Sequence, residues 1–146
     1  MSRTSIPLAG LAAVAVAAAF ALTVACGDDD DDAGTTVEVA LSEWKISANP
    51  AGASPGQIRF RATNAGTIDH ELVIIRTDTA PSALPMSPTE RKADEKRAGE
   101  TIGEIEEFGK GKAKSKTFAL QAGKYALICN IGGHYEQGMS AGFEVR

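Results

Sequence analysis

Histidine is scarce in this chain of 146 residues: there are two, beside two cysteines, three methionines and one tryptophan. Excess positive charge is missing as well, with 15 basic residues against 19 acidic ones. Nucleic-acid binding needs a basic footprint and is not expected. A disulfide scaffold is not expected either, because the two cysteines have different settings. Cys26 ends an apolar leader, which leaves Cys129 as the only thiol of the folded part. An unpaired cysteine in an oxidising compartment is a liability unless a metal takes up the sulfur. The chain has no internal repeat. It places no general base beside a nucleophile, so an enzyme is not expected.

Residues 1–26 read as an export signal. Arg3 is their only charge, and an apolar, Ala-rich run follows from Leu8 to Ala25. Leu22-Thr23-Val24-Ala25-Cys26 resembles a lipobox, which implies that Cys26 becomes the acylated N-terminus. The alternative is an uncleaved transmembrane helix, since the apolar run is just long enough to span a bilayer. Residues 27–35 form an acidic tether, in which Asp28 to Asp32 repel one another and extend. Without Arg3 and these five aspartates the chain carries 14 basic and 14 acidic residues, so the net charge of −4 comes from the tether. The expected location is outside the cytoplasm, at the outer face of the cell membrane or in the periplasm, as a lipoprotein.

Residues 36–146 are expected to form one domain. Val37, Val39 and Leu41 alternate with polar or small residues, the period of a half-buried strand. Trp44, Ile46 and Ala48 continue this alternation past an expected bulge. Ile58, Phe60 and Ala62 form the inward side of a second strand. His70 to Arg76 reads as a central strand, Lys114 to Leu120 as a strand whose run of lysines suits an edge, and Lys124 to Cys129 and Ala141 to Val145 as two more. Pro81 to Gly111 is charged and poor in β-branched residues. Ser87-Pro88-Thr89-Glu90 has the form of a helix start, with a short solvent-facing helix over Arg91 to Ala98 and a stop at Gly99. Ile102, Ile105 and Phe108 are expected to tack the end of this insertion onto the sheet. About seven short strands with regular turns indicate an all-β sandwich.

The chemistry concentrates near the C-terminus. Cys129, His134 and Met139 lie five residues apart in the Gly-rich run Cys129-Asn130-Ile131-Gly132-Gly133-His134-Tyr135-Glu136-Gln137-Gly138-Met139. The other histidine, His70, follows Asn64-Ala65-Gly66-Thr67-Ile68-Asp69. Taken singly, a cysteine or methionine on an apolar segment is core filler. Together, two His, one Cys and one Met are the donor set of a blue-copper site with a weak axial thioether. Zinc also accepts Cys and His, but the thioether suits it poorly.

These residues resemble the cupredoxin family over most of the chain after the tether. The motifs are the Asn-x-Gly-x-x-x-His approach, the Gly-x-Tyr-x-x-x-Cys strand and the Cys-x4-His-x4-Met loop, whose spacing is similar to the sulfocyanin, rusticyanin and auracyanin branch. The resemblance implies a Greek-key β-sandwich and one mononuclear type 1 copper ion. His70, Cys129 and His134 would be its strong ligands and Met139 its axial one. Many members have Asn after the first His, bracing the ligand loops; here that residue is Glu71. The implied role is one-electron transfer between redox partner proteins such as cytochromes, oxidases or other carriers, by a monomer held to the membrane through lipidated Cys26. Gly132, Gly133, Gly138 and Gly142 are expected to leave the His134 edge accessible, with Ile131 and Tyr135 as an apolar landing surface. The alternatives are a copper-binding protein for copper tolerance or delivery, against which the lack of Met- or His-rich tracts speaks, and a structural sandwich that holds no metal.

Overall fold

The computed structural model describes residues 34–146. The expected signal, residues 1–26, and the tether up to residue 33 lie outside the described residues. Nine strands run in the order β1 (Thr35–Ser42), β2 (Lys45–Asn49), β3 (Gly52–Ala53), β4 (Gly56–Asn64), β5 (His70–Arg76), β6 (Glu100–Phe108), β7 (Ala113–Leu120), β8 (Gly123–Ile128) and β9 (Ser140–Val145). One sheet has the order β2-β1-β4-β7 and the other β3-β9-β8-β5-β6. Both are mixed: β1 and β4 are parallel, as are β3 and β9, and the remaining pairs are antiparallel. The chain changes sheet after β2, β3, β4, β6 and β7, giving the all-β sandwich that the strand pattern indicated, with the Greek-key form that the family resemblance implied. Among the described residues no helix is long and apolar enough to cross a membrane.

The core follows from strand parity, since successive side chains point to opposite faces. Val37, Val39 and Leu41 from β1 and Ile58, Phe60 and Ala62 from β4 face Leu72 and Ile74 from β5 and Tyr125 and Leu127 from β8, all in one buried cluster. Phe60 lies at its centre, edge-on to Phe143 at 5.2 Å and to Phe118 at 6.1 Å between ring centroids. β5 and β8 also bury their other faces. Val73, Ile75, Ala126 and Ile128 pack with Leu84, Ala93, Ala98 and Tyr135 in a second cluster. The segment between β5 and β6 thus forms a partial third layer over the outer face of the five-stranded sheet.

Two expectations change here and one is sharpened. The irregularity near Trp44 is a two-residue hairpin turn, Glu43-Trp44, between Ser42 and Lys45, which pair, and not a bulge. Residues 100–108, expected to tack onto the sheet through Ile102, Ile105 and Phe108, do so as a full strand of it. Bulges between His70 and Leu72 and between Ile74 and Ile75 break the β5–β6 register, so the inward residues Ile105 and Phe108 stand three apart and hide the period of two. The helix is α1 (Glu95–Ala98) alone. Arg91 has φ of 51°, which a right-handed helix cannot pass through. Neighbouring backbone groups bond elsewhere: Ser87 N–H to Lys92 O at 2.8 Å, Asp94 N–H to Pro85 O at 2.7 Å.

β7 is an edge strand as its lysines indicated. Lys114 Nζ donates to the carbonyls of Glu106 and Glu107, and Lys116 Nζ to that of Glu104, so the lysines bridge the edges of the two sheets. Because Phe60 touches aromatic rings from both sheets, Phe60→Ala should cost about 3–5 kcal/mol, in the range for burying and then removing a large ring. Urea unfolding followed by circular dichroism checks this, and a cost below that of an exposed substitution would place the core elsewhere.

Candidate metal centre

His70 opens β5 and shares the inward parity of Leu72 and Ile74. Cys129 directly follows β8 and shares that of Tyr125 and Leu127. Both side chains therefore enter the interior at the same end of the sandwich, and both are fully buried. His134 comes from the loop between β8 and β9. The donor atoms of His70, Cys129 and His134 all lie within 4.8 Å of one another. Cys129 Sγ is 3.3 Å from His134 Nδ1 and 3.8 Å from His70 Nδ1. The two imidazoles stand 5.2 Å apart between centroids and are inclined at 66°. Met139 ends the same loop. It is fully buried in the cluster that contains Cys129, and its carbonyl accepts the Cys129 N–H at 3.2 Å, which closes the loop on itself.

The loop satisfies its own amides. His134 N–H donates to Ile131 O, Gln137 N–H to Gly133 O, Gly138 N–H to Tyr135 O and Met139 N–H to His134 O, at 2.9 to 3.2 Å. Gly133 and Gly138 have φ of +89° and +106°, so glycine is needed there for the winding of the loop. The expectation that these glycines open the His134 edge to a partner is revised. A Cβ on Gly132 would lie 3.6 Å from Glu90 O, and one on Gly133 3.6 Å from the Arg91 guanidinium, so the insertion lies over this side. Tyr135 is buried too. Its hydroxyl donates to Pro81 O and accepts from Leu84 N–H, both at 2.8 Å, so it is no part of a landing surface.

Residues 81–99 form a strap across the ligand loop. Asn130 has the outward parity opposite to Cys129 and is the strap's main anchor. Its Oδ1 accepts the Ala93 N–H at 2.8 Å, and its Nδ2 donates to Ala93 O at 3.1 Å and Glu95 Oε1 at 2.8 Å. Gly133 N–H donates to Arg91 O at 2.8 Å. The exposed Arg91–Glu136 pair at 2.7 Å adds little beside these buried bonds. The loop bracing that many family members obtain from an Asn after the first His is provided here from Asn130. Glu71 contributes through its backbone N–H, which points at Cys129 Sγ at 3.5 Å, and through its carboxyl, which faces the Asn130 amide. Burial, then Glu104 beside it, raise the Glu71 carboxyl above its ordinary range.

The approach to His70 is equally constrained. Asn64 Oδ1 accepts the Gly66 N–H, while its Nδ2 donates to Ile68 O and Phe108 O. Glu43 reaches this loop from the β1–β2 turn, accepting the N–H groups of Thr67 at 2.7 Å and Ile68 at 3.0 Å. The Thr67 amide, then those of Glu43 itself and Ile68, hold its carboxyl down at about 2. A Cβ on Gly66 would lie 2.6 Å from Glu43 Oε1 and 2.8 Å from His70 Nε2, so this glycine permits the close approach. His70 Nε2 is 3.5 Å from Glu43 Oε1, yet buried without an aligned hydrogen bond.

The donor chemistry fits a thiophilic metal that also takes imidazole. Burial pushes the Cys129 thiol up to about 11, and burial followed by His70 pushes the His134 imidazole down. Both groups are therefore neutral near pH 7, and a metal that takes the thiolate displaces its proton. Two contacts had no signal in the spacing of the sequence: Glu43 beside His70, and Trp44, whose ring stands edge-on to His134 at 5.1 Å and 71°. Both come from the one turn that the alternation reads as a bulge.

The two sheets, with a Cys–His–His cluster at one end, have the architecture of a cupredoxin. Residues 43–145 match the sulfocyanin (SoxE) domain, and the chain belongs to that family. A comparison with curated proteins gives no significant match. Among solved structures, the reduced auracyanin of Roseiflexus castenholzii is 22% identical with a TM-score of 0.56, covering 78% of this chain and 98% of its own. Auracyanin B is 19% identical with a TM-score of 0.58, covering 78% of this chain and 90% of its own. Auracyanin A from Chloroflexus aurantiacus, a "blue" copper protein, is 19% identical with a TM-score of 0.51, covering 77% and 100%. At these identities the likeness concerns the fold.

Asn130→Ala removes the partners of Ala93 N–H and C=O and should cost about 1–3 kcal/mol, the price of leaving buried polar groups unsatisfied. Faster amide exchange at Ala93 and Gly133, with β1 and β4 unaffected, is the expected signature. Uniform loss of protection across the domain would mean that the strap has no separate role.

Proposed function

We propose that this chain is an extracytoplasmic blue-copper protein that carries single electrons between redox partners. The observation that carries this reading is the buried cluster of one thiol between two imidazole Nδ1 atoms, held on rigid strands and braced from both sides. His70, Cys129 and His134 would hold the metal, with Met139 as the weak axial donor. Copper would supply a one-electron couple between its +1 and +2 states. The protein's part is to keep sulfur and imidazole, which suit both states, in one arrangement that changes little on electron transfer. Anchoring by an acylated Cys26, with residues 27–35 as a tether, would keep the domain near membrane-bound donors and acceptors. Small, transient interfaces are usual for such encounters.

Cu(II) loading of the purified domain should give an intense thiolate-to-copper absorption and the narrow copper hyperfine pattern of a blue site. Near pH 7 the loading should also release the Cys129 proton. Cys129→Ala should abolish both the colour and that release. Met139→Leu conserves volume and should keep the colour while raising the reduction potential, because the lost thioether favours Cu(II). A colourless wild-type protein argues for zinc or no metal. An unchanged or lower potential in Met139→Leu removes Met139 from the axial position.

The anchor has its own test. Full-length protein should fractionate with membranes, and Cys26→Ser should block its processing while leaving the copper spectrum unchanged. Mature protein released with an unmodified cysteine would end the lipoprotein reading.

A further inference from the structure

A buried donor set has to meet a partner somewhere on the surface. His70, Cys129 and Met139 are fully buried, and His134 keeps only 8% of its surface. Two of the ways out from His134 are closed: Tyr135 is buried under Pro81 and Leu84, and the Gly132-Gly133 side is covered by Glu90 and Arg91. On the remaining side stands Trp44. Its ring meets the His134 ring edge-on at 5.1 Å, and the residue is 41% exposed. The indole thus has one end on a candidate ligand and the other in solvent.

Trp44 is held in this position. The preceding residue, Glu43, is fixed by the amides of Thr67 and Ile68, and Thr67 Oγ1 adds a third bond at 3.3 Å. The exposed Ile68, 40% accessible, belongs to the same pair of joined loops. Trp44 and Ile68 expose apolar surface side by side, next to the partly exposed Glu43 carboxylate.

We infer that Trp44 is the surface terminal of the electron path, passing the electron between His134 and a docked partner. The inference rests on the electron-carrier reading and names its point of exit. The indole couples the two centres and is itself neither oxidised nor reduced. No bond forms or breaks and no proton moves. The electron that leaves a metal held by His134 would be gained by the partner's redox centre, or the reverse.

Electron self-exchange between Cu(I) and Cu(II) copies of the same protein, followed by NMR line broadening, tests this without a foreign partner. It has no driving force, so a change in potential does not alter the comparison. Trp44→Ala should exchange several-fold more slowly than wild type, and Trp44→Phe, which retains a ring, should recover most of the rate. The blue spectrum should persist in all three. Metal-free protein supplies an independent geometric readout: ring-current shifts on the His134 ring protons should be larger in wild type and in Trp44→Phe than in Trp44→Ala, where only the His70 ring remains beside it. An unchanged self-exchange rate in a blue Trp44→Ala protein overturns the inference, and a faster one makes Trp44 a shield over His134. An equal ring-current shift in wild type and Trp44→Ala removes its geometric basis. Loss of blue colour in wild type defeats the electron-carrier reading instead, so the two failures are distinct.

Discussion

The Cys129 sulfur, enclosed between the Nδ1 atoms of His70 and His134, sets the terms for this domain. A thiol and two imidazoles removed from water must be neutral, bonded or occupied, because an unmatched buried polar group is costly. The protein meets part of this cost with backbone, through the Glu71 N–H directed at the sulfur and the Cys129 N–H bonded to Met139. The remaining donor atoms are grouped closely enough to hold a metal ion. Strand parity makes the enclosure possible: one alternation carries His70 and Cys129 inward along with the aliphatic residues of β5 and β8. The same side chains that form the hydrophobic core thus fix the direction from which two donors enter.

The opposite parity is just as consequential. Asn130 leaves the sheet on the outer side and captures Ala93 and Glu95, and Val73, Ile75, Ala126 and Ile128 bury themselves beneath the strap. The ligand loop is therefore held from within by the core and from without by the insertion. A metal site braced in this way is held by the strap as well as by the residue after His70, whose carboxyl faces the Asn130 amide. Most charges of the insertion point to solvent, while its backbone and the Glu95 carboxylate carry the buried contacts. Ordering such a segment costs conformational entropy, and the second buried cluster is what offsets it.

Function follows from the way this rigid end meets the outside. The strap and the Tyr135 hydroxyl close most of the surface around the donors. The β1–β2 turn leaves an exposed indole against the least buried of the imidazoles. An electron carrier needs such an arrangement, with its redox centre dry and stationary and one defined contact at the surface. The sulfocyanin family assignment and the auracyanin-like fold are consistent with the donor chemistry derived from the residues.

Local pattern carried much of this structure. The strands of the core, their inward residues and the lysine-lined edge were legible because alternation and burial coincide wherever a strand pairs regularly. The candidate donor set stood out because its residues are rare in the chain and three of them fall in one short loop at even spacing, and the fold brings His70, Cys129 and His134 together. Where pairing is irregular, the pattern misleads. The bulges opposite β5 hid β6, and a hairpin turn read as a bulge hid the positions of Glu43 and Trp44. The charged insertion had the composition of a helix, but Asn130, 37 residues further along the chain, took the backbone groups of Ala93. A residue's own neighbours determine its propensity, and only the packed fold determines which distant partner competes for its hydrogen bonds. The sequence by itself thus determined which atoms can bind a metal. The tertiary structure alone decided what surrounds them, because those contacts join segments that have no local relation to one another.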